Sequence, residues 1–146
     1  MPDRAEGYVR RGQGILPRDM QMAELYFRNA SHELVRMDCR KQLAAIEAIR
    51  DAVAHIECRL YFVATDQSHI HVLVSWHGAR SWRQNRNSIK KSLTITFKQK
   101  YDRRPWFSEG ASRKQVREQA HFDHLVTRYL PRHKGWKWCE RRGLFQ

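Results

Sequence analysis

The sequence predicts an α+β sandwich in which helices cover mainly one face of an antiparallel sheet. Two observations carry the sheet and its helical cover. CRLYFVAT (Cys58 to Thr65) and HIHVLVSW (His69 to Trp76) are apolar and β-branched, flank a short polar turn, and read as a hairpin. Helical periodicity brackets that hairpin, with Leu43, Ile46, Ile49, Val53 and Ile56 before it and Trp82, Ile89, Leu93 and Phe97 after it. A third observation sets the scale: 146 residues with 41% hydrophobic content suffice for one domain with its own core.

Residues 1–18 hold Gly7, Gly12, Gly14 and Pro17 among charges and predict an irregular basic arm; 19–146 should form the single domain. MAELYF (Met22 to Phe27) suits a strand or a helical turn, and HELVRM (His32 to Met37) is equally open. Asp38 suits an N-cap, so a helix is expected from Cys39 to about His55. After the hairpin, Gly78 and Ala79 break the pattern. The next helix interleaves its core stripe with Arg83, Arg86, Lys90, Lys91, Lys98 and Lys100. YDRRPWFSEG (Tyr101 to Gly110) predicts a loop or short strand carrying an exposed Trp106. Ser112 to Gln115 has capping-box spacing and should open a last helix with Phe122, Leu125, Val126 and Tyr129 on one face. Pro131 should end or kink that helix close to Leu130. The tail from Lys134 onward is aromatic and basic without a clear period.

Lys and Arg number 28 against 15 Asp and Glu, a formal net charge of +13. An excess of that size implies a polyanionic partner, most simply a nucleic-acid backbone whose counterions are released on binding. The basic residues are spread along the chain rather than gathered on one amphipathic helix, which argues against a membrane surface. No apolar run approaches the ~18 residues of a membrane span. Cys39, Cys58 and Cys139 are odd in number and form no C-x-x-C, as expected of reduced thiols in a cytosolic protein.

The chemistry concentrates in SHIHVLVSW (Ser68 to Trp76). Strand side chains alternate, so His69, His71, Leu73 and Ser75 share one face while Ile70, Val72, Val74 and Trp76 face the core. Two imidazoles side by side can chelate one metal ion, although a bare His-x-His is more often a pair of surface or hydrogen-bonded histidines. Downstream, Tyr129 and His133 are four residues apart, so a helix could converge a phenol and an imidazole on one point. A tyrosine beside a metal-held phosphate can act as a nucleophile. The helix pattern taken alone favours a core tyrosine with its hydroxyl at the surface.

SHIHVLV resembles the histidine–hydrophobic–histidine motif of HUH single-strand endonucleases. HFDHLVTRYLPRHKGW (His121 to Trp136) resembles the nucleophile helix of the small single-tyrosine transposases of minimal insertion sequences and their REP-associated relatives. RRPWFSEGASRKQV resembles the segment that leads into that helix. The resemblance spans about Cys39 to Trp138. It implies a ferredoxin-like (RRM-like) sandwich with the paired histidines in the central sheet. His69 and His71 would be metal ligands and Tyr129 the nucleophile. His133 would stand where the family often has Gln or Asn to complete the metal site. Pro131, between Tyr129 and His133, is a second departure.

The implied reaction is a metal-dependent transesterification of single-stranded DNA that leaves a 5′-phosphotyrosine and a free 3′-OH, on hairpin-containing DNA and as a homodimer. It implies a divalent metal, Mg²⁺ or Mn²⁺, and bacterial cytoplasm near the nucleoid; an all-imidazole protein shell could favour Mn²⁺ or bind Zn²⁺ adventitiously. Lys90, Lys91, Arg103, Arg104, Arg113 and Lys114 are candidate phosphate contacts and Trp106 a candidate base-stacking platform, each with a solvated basic surface as the alternative. His121 and His124 are expected at the surface, and Tyr101 is the reserve nucleophile. Two other classes compete: an inactive relative that only binds hairpin DNA or RNA, and an RRM-like binding module with incidental histidines.

Overall fold

Six strands form one antiparallel sheet in the order β4-β1-β3-β2-β5-β6. The computed structural model describes residues 19–30, 36–108 and 113–146. The amino-terminal arm and part of HELVRM lie outside them. In chain order the elements are β1 (Met20–Arg28), α1 (Cys39–His55), β2 (Arg59–Thr65), β3 (His69–His77), α2 (Trp82–Lys100) and β4 (Arg113–Gln115). Then come α3 (Gln119–His124), a π-turn (Leu125–Tyr129), a 3-10 turn (Leu130–Arg132), β5 (Lys137–Cys139) and β6 (Gly143–Phe145). The β4-β1-β3-β2 portion, with α1 and α2 as crossovers, is the ferredoxin-like arrangement; β5 and β6 extend it beyond β2.

MAELYF resolves as part of β1, because nine residues pair with β3 from Met20↔His77 to Arg28↔His69. Leu25 and Phe27 then join Ile70, Val72 and Val74 in the core beneath α1 and α2. Asp38 caps α1, accepting a hydrogen bond from the Lys41 backbone N–H (3.0 Å). Ser81 and Gln84 form a reciprocal capping box on α2. Ile89, Leu93 and Phe97 of α2 are fully buried, each contributing about 1.5–3 kcal/mol of transfer free energy.

The second face of the sheet carries a smaller core. A register shift in β2 between Leu60 and Phe62 lets the consecutive Tyr61 and Phe62 both face this side. They meet Phe122, Leu125 and Leu130 from the carboxy-terminal helical segment, together with Met22 and Leu73.

Three expectations need correction. Arg113–Gln115 is the short edge strand β4 rather than the opening of a helix, because its residues pair with Leu25, Glu24 and Ala23 of β1. The Val116 N–H then donates to the Met22 carbonyl, so the backbone is committed to the sheet and the helix begins only at Gln119. Trp106 is not an exposed platform; it is 3% exposed. Its ring packs against Phe97 and Tyr101, and its indole N–H donates to the Asp102 carbonyl (3.0 Å). Finally, the tail is not irregular, since β5 pairs with β2 and turns back through β6.

Candidate active site on the second face of the sheet

Strand alternation sends His69 and His71 to the face away from α1 and α2, into the smaller layer. His71 is nearly buried and His69 about one-third exposed, with side-chain exposures of 8% and 32%. Opposite them on β1, Tyr26 pairs in register with His71. Its ring lies 5.2 Å from that of His69 and 5.1 Å from that of His71. Two residues earlier, Glu24 is 3% exposed and shares a 2.5 Å hydrogen bond between its Oε2 and His71 Nδ1. Its other oxygen, Oε1, is buried without a hydrogen-bond partner.

The carboxy-terminal segment supplies the rest. The π-turn carries the chain from α3 to Tyr129, closing with a hydrogen bond from the Leu130 N–H to the Leu125 carbonyl. Pro131 has no N–H to continue the ladder, so the chain tightens into a 3-10 turn and leaves it at His133 in an extended conformation. Tyr129 and His133 are thus not stacked at i and i+4 on a regular helix. The rings nevertheless converge: Tyr129 lies 5.6 Å from His71, His133 lies 4.4 Å from His71, and Tyr129 lies 5.3 Å from His133.

All three histidines have Nδ1 engaged. His71 meets Glu24, His69 meets Ser68 Oγ (2.9 Å) and Asp66 (3.3 Å), and His133 meets the Leu130 carbonyl (3.1 Å). Such contacts fix ring orientation and direct ligation to Nε2. As the side chains stand, no group of three or more His, Cys, Asp or Glu among the described residues is arranged to hold a metal ion.

Burial raises the Tyr129 phenol above its ordinary pKa, and the charges of Glu24, Tyr26 and Asp66 push the same way. Burial lowers the His133 imidazole, and the neighbouring His71 adds to that. At neutral pH the pair is therefore a protonated phenol beside a neutral imidazole.

A latch holds the loop that carries His133. Lys137, 3% exposed, donates from Nζ to the carbonyls of His133 (2.6 Å) and Gly135 (2.9 Å). The Gly135 N–H donates to the Thr65 carbonyl (2.9 Å), and the Trp136 N–H to Gln42 Oε1 (3.1 Å). The approach at Gly135 is close enough that a Cβ there would stand 2.5 Å from the Thr65 carbonyl oxygen.

The basic candidates divide by location. Lys114 pairs with Glu24 across β4 and β1 and sets its ammonium 5.7 Å from the Tyr129 ring centroid, on the site's face. Arg113 points the other way, its guanidinium 5.0 Å from the Trp82 ring centroid. Lys90 and Lys91 lie on α2, across the sheet from the histidines. Arg103 and Arg104 are exposed in the loop after α2, with Arg104 held by Asp102. Tyr101 packs in the α2 layer against Phe97, far from any histidine pair. His124 is exposed and its ring flanks that of Tyr129 at 6.4 Å; His121 is half-buried.

Sequence reasoning missed Glu24, Tyr26 and Lys137. The spacing of Glu24 and Tyr26 in a two-residue alternation was the available signal, but it needed β1 to be recognised as a strand. Lys137 gave none, because its burial depends on a three-residue strand.

No family model and no curated protein matches the sequence. Among solved structures, the fold is similar to a REP-associated tyrosine transposase bound to a REP hairpin. That match has a TM-score of 0.54 at 14% identity and covers 76% of this chain but 64% of the other. A second similar structure is described as a putative transposase from Deinococcus radiodurans R1. Its TM-score is 0.59 at 12% identity, covering 87% of this chain and 99% of the other. Together with the strand order, these similarities establish an α+β fold shared with a REP-associated tyrosine transposase and a putative transposase.

Proposed function

We propose that the protein is a single-tyrosine transposase-like enzyme that cleaves and rejoins single-stranded DNA beside a hairpin. The observation that carries this reading is the convergence of His71, Tyr129 and His133 from two distant segments onto one face. The net charge of +13 supplies the affinity for a polyanion, and the hairpin is the ligand named for one structural neighbour.

In this reading Tyr129 Oη attacks the scissile phosphorus, forming a 5′-phosphotyrosine and releasing a 3′-OH. Its raised pKa means that a proton must leave as the bond forms. Glu24 Oε1, buried without a partner and lining the same small cavity as Tyr129, would accept it. Lys114 lines that cavity too and would hold a phosphate oxygen. The phosphotyrosine conserves the phosphodiester's energy, so a second 3′-OH can reverse the step.

As they stand the three imidazoles do not form a metal-holding group, so a divalent ion would require His69, His71 and His133 to turn their Nε2 atoms towards one point. His69, His71 and His133 have their Nδ1 atoms fixed by oxygens, and imidazoles suit Mn²⁺ better than Mg²⁺. Those three residues would hold it, with His133 in the third position, and the bound ion would supply charge stabilisation to the phosphate. A homodimer and a bacterial cytoplasmic setting complete the proposal.

The test is incubation with labelled hairpin DNA carrying single-stranded flanks, with Mn²⁺ or Mg²⁺, followed by denaturing electrophoresis. A covalent protein–DNA band that disappears in Tyr129→Phe and falls sharply in His71→Ala is the expected result. Binding without any such band would leave a hairpin-binding protein and overturn the enzymatic reading.

A further inference from the structure

The carboxy-terminal segment buries Phe122, Leu125 and Leu130 in the smaller core, while Tyr129 stands half-buried beside His71. A regular helix could not do both. Each residue of an α-helix advances about 100°, so Tyr129 would fall between Phe122 and Leu125 on the core stripe, and Leu130 would turn about 80° away from Phe122. The π-turn Leu125–Tyr129, closed by the Leu130 N–H on the Leu125 carbonyl, takes one residue more than an α-turn. Everything after it falls back by one position. Leu130 takes the core place, and Tyr129 swings out by about 100°, to where His71 and His133 meet it.

We infer that Thr127 is a positioning residue for Tyr129, its hydroxyl holding the π-turn that sets this register. The inference rests on the proposed function for its effect on rate, and on the fold alone for the placement of the ring. Thr127 is exposed, and its Oγ1 donates to the Asp123 carbonyl four residues back (2.5 Å). A hydroxyl bonded in this way competes with the backbone ladder and bends a helix out of regular α geometry. Asp123 is itself anchored, accepting at Oδ1 from Gln119 Nε2 (2.9 Å). From the other end, Pro131 has no N–H to offer the Thr127 carbonyl, so a regular helix through this interval would lose that bond as well.

Closing the wider turn also brings residues five apart together. The His124 ring lies 23° from parallel to that of Tyr129, with centroids 6.4 Å apart. With His71 at 5.6 Å and His133 at 5.3 Å, three imidazoles surround the phenol ring in this register.

The experiment compares the full-length wild-type protein with Thr127→Val, which keeps the shape but loses the hydroxyl, and Thr127→Ser, which keeps the hydroxyl. Without DNA, acetylation of each tyrosine by N-acetylimidazole is followed by peptide mass spectrometry. Tyr101, in the α2 layer, is the internal reference, because a general loosening of the fold would change it too. With flanked hairpin DNA and Mn²⁺, the rate of covalent adduct formation is measured beside the hairpin Kd. In Thr127→Val, Tyr129 acetylation relative to Tyr101 and the adduct rate should both fall about fivefold, the factor that one net hydrogen bond is worth. The hairpin Kd should not change, and Thr127→Ser should restore both readouts. A Thr127→Val protein with the wild-type acetylation ratio overturns the inference, as does a Thr127→Ser protein that fails in the same way. A Kd that weakens in step with the rate makes Thr127 a DNA contact instead and also overturns it. If the wild-type protein forms no adduct, the proposed function fails, and the acetylation ratio still decides on Thr127.

Discussion

Replacing Gly135 with alanine isolates the latch that places His133. Its Cβ would stand 2.5 Å from the Thr65 carbonyl oxygen, 2.7 Å from Thr65 Oγ1 and 2.8 Å from Gln42 Oε1, where real Cβ contacts are at least 3.0 Å. The loop must therefore retreat by about 0.5 Å or more, and the nearest obstacle is backbone in β2, which cannot swing aside. Retreat stretches the bonds from Gly135 N–H to Thr65 and from Trp136 N–H to Gln42, and loosens the grip of Lys137. At roughly 1 kcal/mol for each of two or three hydrogen bonds, the cost is about 2–3 kcal/mol. For a domain of this size that corresponds to a Tm lower by about 5–10 °C. Thermal unfolding by circular dichroism measures it. Covalent adduct formation, assayed below the transition, should fall by more than tenfold because a misplacement near 1 Å can cost ~10² in rate. A variant with unchanged Tm and full adduct formation would refute the claim that this close approach holds the site.

Other changes sort the remaining residues. Lys114→Ala should weaken hairpin binding and reduce the salt slope of log K by about one, whereas Lys90→Ala and Lys91→Ala, on the far layer, should leave adduct formation unchanged; salt titrations of binding decide. Trp106→Ala should lower stability by about 3–5 kcal/mol in urea, and the folded variant should keep its DNA affinity, since the ring is interior. Stability should also fall on acidification. His133 is held below its ordinary 6.5 by burial first and by His71 second. A group lowered in the fold contributes above its unfolded pKa and loses that contribution as pH falls through the folded value. Tm should therefore drop below about pH 6.5, and drop less in His133→Gln.

The parts of the fold written in local periodicity were legible. Leu43 to Ile56, with Asp38 before them, specify α1 almost residue by residue, and the alternation of His69 to Trp76 correctly assigned which face each side chain takes. Elements stabilised by distant partners were not. Arg113–Gln115 carries a capping-box spelling, yet its backbone is worth more as the edge of β1 than as a helix start. Lys137–Cys139 is too short to show a period and exists because β2 offers an open edge. The same distinction runs through the site. His69, His71, Tyr129 and His133 are singled out by resemblance to family motifs, since spacing alone favours surface histidines and a core tyrosine, and the structure brings the last three within ring contact. Glu24 and Tyr26 enter the site only through their register opposite Leu73 and His71, information held in the pairing of two strands far apart in sequence. Trp106 illustrates the converse: a tryptophan among arginines looks like a stacking platform until Phe97 is found beneath it.

Two phenols, Tyr26 and Tyr129, stand beside His71, and only Tyr129 is proposed to form the covalent bond. The most direct measurement is to digest the covalent complex formed on flanked hairpin DNA and identify the modified residue by mass spectrometry. The expected result is a nucleotide phosphodiester on Tyr129, within the peptide that also holds Pro131. A modification on Tyr26 or Tyr101, with Tyr129 unmodified, would contradict it.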